Sequence, residues 1–292
     1  MLLTAQPPAP SPWVWHPHFE VWGLMLGLAV AYWAALRYWR PAHLEMAERP
    51  ATRGQVTFFL LGLAAMWAAG DWPVHELSER HLYGVHMAQH LLLTLAAPPL
   101  LLAGIPDWLA RRILKPPGLM KLARKLTRPL PALLIFNGVL VLSHWPLVVD
   151  ATLRNEWLHF GSHTILLLSG LIMWSPVFSP LPELPRISYP AQLLYLFLQT
   201  IVPTVPASFL TFASRPIYRF YETLPHYFSI SVLDDQRIAG LVMKLGGGLA
   251  LWSVIAGLFF RWSSREARPE KPDVLEWHEV ERELNRIGRG RR

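Results

Sequence analysis

Along this chain, apolar residues gather into long blocks that neither alternate with polar ones nor keep to a single helical face. A helix needs about 20 mostly apolar residues to cross a hydrocarbon layer about 30 Å thick. Seven blocks reach or approach that length: Phe19 to Trp39, Gln55 to Trp72, Leu82 to Gly104, Leu130 to Val148, Trp157 to Phe178, Pro190 to Phe212 and Ile238 to Trp262. Pro, Gly and charged residues separate them. The pattern predicts an all-α, polytopic transmembrane helix bundle of seven transmembrane helices forming one domain, 19–262. A Pro-rich segment, 1–18, precedes it and a basic, amphipathic tail, 263–292, follows. Trp22, Trp39, Trp72, Trp108, Trp145, Trp157 and Trp262 fall at or near the block ends, where indole rings favour the headgroup region. Residues 1–18 lack a basic stretch and a small-residue cleavage site, so the first helix is expected to act as an uncleaved insertion signal. No internal repeat of the kind common in secondary transporters is visible.

Lys and Arg orient the bundle, because short loops rich in them stay on the cytoplasmic side. One flank carries Arg37, Arg40, Arg49 and Arg53, then Arg111, Arg112, Lys115, Lys121, Arg124, Lys125 and Arg128, then Arg186 and the tail. The other holds only Arg80, Arg154, Arg215, Arg219 and Arg237. The expected orientation is N-out/C-in. Charged residues make up 16% of the chain, against about 25% in soluble domains, which reinforces the membrane reading. The net charge of +7 does not imply a nucleic-acid partner, since the basic residues sit in loops between apolar blocks. Membrane lipid is the simpler partner for Trp108–Arg128 and for a tail helix carrying Trp277, Val280, Leu284 and Ile287. A solvated helix that binds a partner is the alternative for the tail.

Histidines stand out once the topology is drawn. His86 and His90 lie four residues apart at the outer start of the third span, on one helical face. His159 and His163 repeat that spacing at the outer start of the fifth. His144 closes the fourth span at the same depth, with Asp150 shortly after. Asp234, Asp235 and Gln236 occupy the outer loop before the last span, whose first turns hold Met243 and Lys244. Ionisable groups inside a span cost roughly 2.5 to 3.5 kcal/mol each and usually face the bundle interior or a wet cavity. The five histidines are therefore expected to converge, with ordinary helix-to-helix hydrogen bonding as the competing role. His16, His18, His43 and His278 are expected to be interfacial or solvated, and His75, His81 and His226 to lie in outer loops facing solvent, with a gating or docking role as the alternative.

There is no cysteine, which rules out disulfides and thiolate ligands. Imidazole and thioether without thiolate suit copper better than hard cations. The expected ligands are His86, His90, His144, His159 and His163, with Met87, Asp150, Asp235 and Met243 as supporting or docking groups. Axial haem ligation by facing histidines is the alternative. A zinc-protease reading fails, because Met87 stands where that motif needs the glutamate that activates water.

His86-Met87-Ala88-Gln89-His90, Ala97-Pro98-Pro99, Gly104-Ile105-Pro106, His144-Trp145-Pro146 with Asp150, His159 and His163 with Trp174, and Asp235-Gln236 with Gly240 and Met243 occur in that order. In this the chain resembles the CtaG family of integral-membrane cytochrome c oxidase assembly factors, from about the second span to the last. The resemblance implies a non-enzymatic plasma-membrane protein needed to form active haem-copper oxidase of the caa type, with oxidase subunits as partners and copper as cargo. Lys244 departs from the family, in which an aromatic residue is usual at that position. Such a cation would oppose metal binding at Met243 unless Asp234 or Asp235 pairs with it. A transporter of copper or a small substrate is the rival reading, with Gln199, Thr200, Pro203, Thr204 and Pro206 as a break or a kink in the sixth span.

Overall fold

The structure is a computed structural model that describes residue 11, residues 13–39, 50–224 and 228–267, and residues 281, 282 and 286. The expected tail residues Trp277, Val280, Leu284 and Ile287 lie outside the described residues, as do Arg40, His43, Arg49, His226, His278 and most of segment 1–18. Among the described residues every regular element is helical: α1 (Phe19–Tyr38), α2 (Arg53–Gly70), α3 (Val74–Arg80), α4 (Tyr83–Gly104), α5 (Asp107–Ile113), α6 (Leu119–Leu126), α7 (Pro129–Ser143), α8 (Pro146–Leu153), α9 (Glu156–Phe178), α10 (Tyr189–Thr211) and α11 (Val232–Glu266), with a short 3-10 helix, Arg219–Thr223, between the last two. Five of them, α1, α4, α9, α10 and α11, are long and apolar enough to cross a membrane. Two bent pairs raise the number to as many as seven, α2 with α3 at 41° and α6 with α7 at 82°.

Local chemistry sets the ends. Thr52 and Gln55 form a capping box at the start of α2, and the Asn155 side chain accepts the amides of Trp157 and Leu158 to begin α9. Two boundaries differ from the hydropathy reading. The fourth apolar block does not run on to Val148: α7 stops at Ser143, and α8 restarts at Pro146, whose missing amide suits a first helical turn. The last helix starts earlier than Ile238, since the Ser231 side chain caps it, so Asp234, Asp235 and Gln236 belong to its first turns rather than to a loop. The sixth block is one unbroken helix containing Pro203 and Pro206.

Two π-helical turns, Leu92–Ala96 in α4 and Val242–Gly246 in α11, interrupt the α-helical ladder. The first precedes Pro98 and Pro99, which bring no amide hydrogens to the carbonyls one turn back. The Thr94 carbonyl instead accepts the indole Nε1–H of Trp174 on α9 at 3.0 Å. Close approach at this level depends on Gly170: a Cβ there would lie 2.9 Å from Pro98 Cγ and 3.1 Å from the Thr94 carbonyl oxygen.

Tyr83, Met87, Phe136, Met173, Trp174, Leu196, Leu210 and Met243 lie in the main core. A smaller cluster joins α1, α2 and α4 through Tyr32, Phe59, Leu63 and Leu101. Leu26, Leu130, Phe209, Leu249 and Phe260 project outward, an apolar exterior of the kind that faces lipid.

Candidate metal centre

One end of the bundle gathers the starts of α4, α9 and α11, the end of α7, and α3. The start of α4 is held from a distance. The Asp235 carboxylate of α11 accepts the backbone amides of Tyr83 and of Gly84, the latter at 3.0 Å. This caps two otherwise unpaired N–H groups and places negative charge at the positive end of the helix dipole. Asp235 thereby fixes the turn that presents His86, and it touches no imidazole among the described contacts.

The two expected pairs face each other. Ring centroids of His86 and His90 are 4.3 Å apart on α4, and those of His159 and His163 are 4.2 Å apart on α9. Across the helices, His86 lies 5.5 Å from His159 and 5.7 Å from His163. Nitrogens of His86, His159 and His163 come within 4.8 Å of one another, and no other trio of His or carboxylate ligands does so among the described residues. Three imidazoles around one ion at about 2.0–2.1 Å would bring their nitrogens to roughly 3.5 Å, so small side-chain rotations close the site.

His90 and His144 stand beside this trio. The Nε2 atoms of His90 and His163 are 3.2 Å apart, and the rings of His90 and His144 are separated by 5.7 Å. The Nδ1 atoms of His86 and His90 are buried without a hydrogen bond. Buried polar atoms in native proteins are nearly always paired, so unsatisfied nitrogens on neighbouring rings are the pattern expected of metal ligands.

Two residues missed in the sequence complete the cluster. One oxygen of Glu79 on α3 lies 3.2 Å from the Nε2 of His75 and 3.2 Å from the Nε2 of His159. The contact to His159 is an ion-pair distance off hydrogen-bond direction, which leaves that nitrogen available. His75 is therefore not in a solvent-facing loop: it sits on α3, and its ring is 6.4 Å from that of His159. Its other neighbour is His18, 4.6 Å away edge to face, so His18 is also drawn into the group rather than simply solvated. The signal existed, because His75 and Glu79 share the four-residue spacing that singled out the other pairs.

The remaining candidates are distributed as follows. Met87 is 1% exposed, and its Sδ is 3.4 Å from His144 Nε2. Met243 is buried in the π turn of α11 and lines a cavity of about 60 Å³ together with Met87, His90, His144, Gln199 and Lys244. Lys244 does not find the expected partners, since Asp235 is committed to α4 and Asp234 pairs with Arg237 at 3.3 Å. Asp150, on α8, has one buried oxygen without a hydrogen bond and is not part of the imidazole trio.

The chain is similar to several known proteins. Uncharacterized proteins of Mycobacterium bovis and Mycobacterium tuberculosis are each 26% identical over 243 residues, and one of Mycobacterium leprae is 25% identical over 233 residues. Each alignment takes in 74% of this chain and 35% of the relative, so the chain spans about a third of the length of the curated relatives it matches. No solved structure matches. Residues 30–265, from within α1 almost to the end of α11, match the family described as cytochrome c oxidase caa3 assembly factor (Caa3_CtaG), and the chain belongs to that family.

Proposed function

We propose that this protein is a non-enzymatic assembly factor of a bacterial plasma membrane that receives copper at its histidine cluster and helps present it to a subunit of a nascent haem-copper oxidase. The single observation that carries the copper assignment is the convergence of His86, His159 and His163, from two helices, to within 4.8 Å. The donor set fits the ion: imidazoles, neighbouring thioethers and one carboxylate, with no thiolate to trap copper tightly. A site of this kind releases its ion to a better one, as an assembly step requires.

Seven spans in the N-out/C-in orientation fit the same reading. Two further crossings, made by the long helix of each bent pair, α2 and α7, bring the number to seven. The basic helices α5 and α6 follow the end of α4 opposite to the histidines, so cytoplasmic retention of Arg111, Arg112, Lys121, Arg124 and Lys125 puts the cluster at the outer face. α6 sets Leu119, Leu122 and Leu126 against Lys121, Arg124 and Lys125 and turns 82° from α7, a geometry suited to lying on anionic headgroups.

The test is made in membranes of a strain lacking this protein, complemented with either the natural chain or His86→Ala/His163→Ala. The natural chain restores copper-loaded, active oxidase. The variant, present at equal abundance, leaves oxidase copper and activity below about a tenth of that level. Full oxidase copper and activity with the variant would refute the proposal.

A further inference from the structure

The five histidines do not form one site. Only three meet, His90 bridges outward from them, and His144 lies beyond against a sulfur. We infer that His144 and Met87 form a second copper station, inward of the imidazole trio and linked to it through His90, that holds the ion as copper(I). This rests on the reading that the trio receives copper.

The tautomer of His144 carries the argument. Its Nδ1 lies 2.7 Å from the Leu140 carbonyl oxygen, which can only accept, so Nδ1 bears the hydrogen. In the neutral ring the lone pair is then on Nε2. That atom points at Met87 Sδ, 3.4 Å away, and a thioether has no hydrogen to offer. Two buried electron-pair donors thus face each other with no hydrogen between them, on residues only 7% and 1% exposed. A soft cation bonded to nitrogen at about 2.0 Å and to sulfur at about 2.3 Å would subtend roughly 100° across this gap, close to tetrahedral.

A further donor is at hand: His90 lines the same cavity, with its Nδ1 buried without a partner while its Nε2 meets His163, whereas Lys244, which also lines the cavity, opposes metal binding at Met243. A neutral ring has one lone pair, so His90 can serve the trio and the inner station in turn, through whichever nitrogen is free of hydrogen. Thioether sulfur favours copper(I) over harder divalent ions. Passage between stations is ligand exchange: a nitrogen of the trio leaves as sulfur binds, and copper stays copper(I) with no electron transferred. The path would run from the His18, His75 and Glu79 group through the trio to the cavity below, each imidazole within 6.4 Å of the next.

The full chain in detergent, loaded anaerobically with copper(I), decides the matter by copper X-ray absorption together with metal analysis. The natural chain is expected to bind about two equivalents and to show sulfur scattering at about 2.3 Å. Met87→Leu, a swap of near-equal volume that cores tolerate, is expected to lose the sulfur scattering and about one equivalent. His144→Gln, which keeps the backbone carbonyl bonded to Tyr218, is expected to lose the same equivalent. His159→Ala/His163→Ala is expected to lose the other equivalent and to retain sulfur scattering, which separates failure at the trio from failure at the inner station. Nitrogen-only copper in the natural chain, or sulfur scattering undiminished in Met87→Leu, would overturn the inference.

Discussion

At Glu79 one carboxylate oxygen lies equally close to two imidazoles, 3.2 Å from each Nε2. A carboxylate in that place puts negative charge within ion-pair distance of the cluster, which favours a cation bound there. Glu79→Gln keeps the shape and removes the charge. Copper affinity of the purified chain is expected to fall about 10- to 100-fold while the fold is retained, measured by competition with a chromophoric chelator. Unchanged affinity would leave Glu79 a merely structural residue. Reading the sequence found His86, His90, His159 and His163 because they lie inside apolar blocks, where a polar residue is conspicuous. His75 and Glu79 escaped notice because they sit in the polar stretch Val74–Arg80, where charge is unremarkable until folding lays it over the cluster. The role of Asp235 was out of reach for another reason: it caps a helix that begins 152 residues earlier.

Among the elements, α4 is the one that everything else positions. It carries two histidines and Met87, takes its cap from α11, bends through a π turn, and leans on α9 through Trp174. Its far end is fixed against α2 at Gly104, where a Cβ would come within 2.5 Å of the Phe59 amide nitrogen and 2.7 Å of its Cα. Backbone cannot yield there as a side chain could, and the Gly104 carbonyl accepts the Tyr32 hydroxyl at 2.8 Å. Gly104→Ala is therefore expected to cost about 1–3 kcal/mol, read as a lower unfolding temperature in detergent. Gly23→Ala, with nothing within 4 Å, serves as the control and is expected to be neutral or slightly stabilising. Hydropathy located these helices well because a bilayer demands long apolar stretches. It could not see the π turn of α4 or the early end of α7, since the first goes with Pro98 and a Thr94 carbonyl that turns to Trp174 on α9, and the second with the restart of the helix at Pro146.

For the molecule as a whole, the apolar exterior and the polar interior at one end divide the work. Large side chains such as Leu26, Leu130 and Phe209 face outward, while Gln89, Gln199, Gln236 and the histidines are buried. Burial of so many polar groups opposes stability unless they are satisfied or used. Gln236 is satisfied by the backbone around Tyr218, while Gln199 accepts from Asn137 at 2.7 Å and keeps an amide nitrogen without a partner. The Nδ1 atoms of His86 and His90 are likewise unpaired, on rings at the proposed copper site. The most direct measurement is equilibrium copper binding by the purified chain in detergent, the natural protein beside His86→Ala/His163→Ala, with equal folding checked by helicity. The account predicts that the variant loses the ion held by the trio, with affinity there weakened by at least about 100-fold. Equal stoichiometry and equal affinity in the two proteins would contradict it.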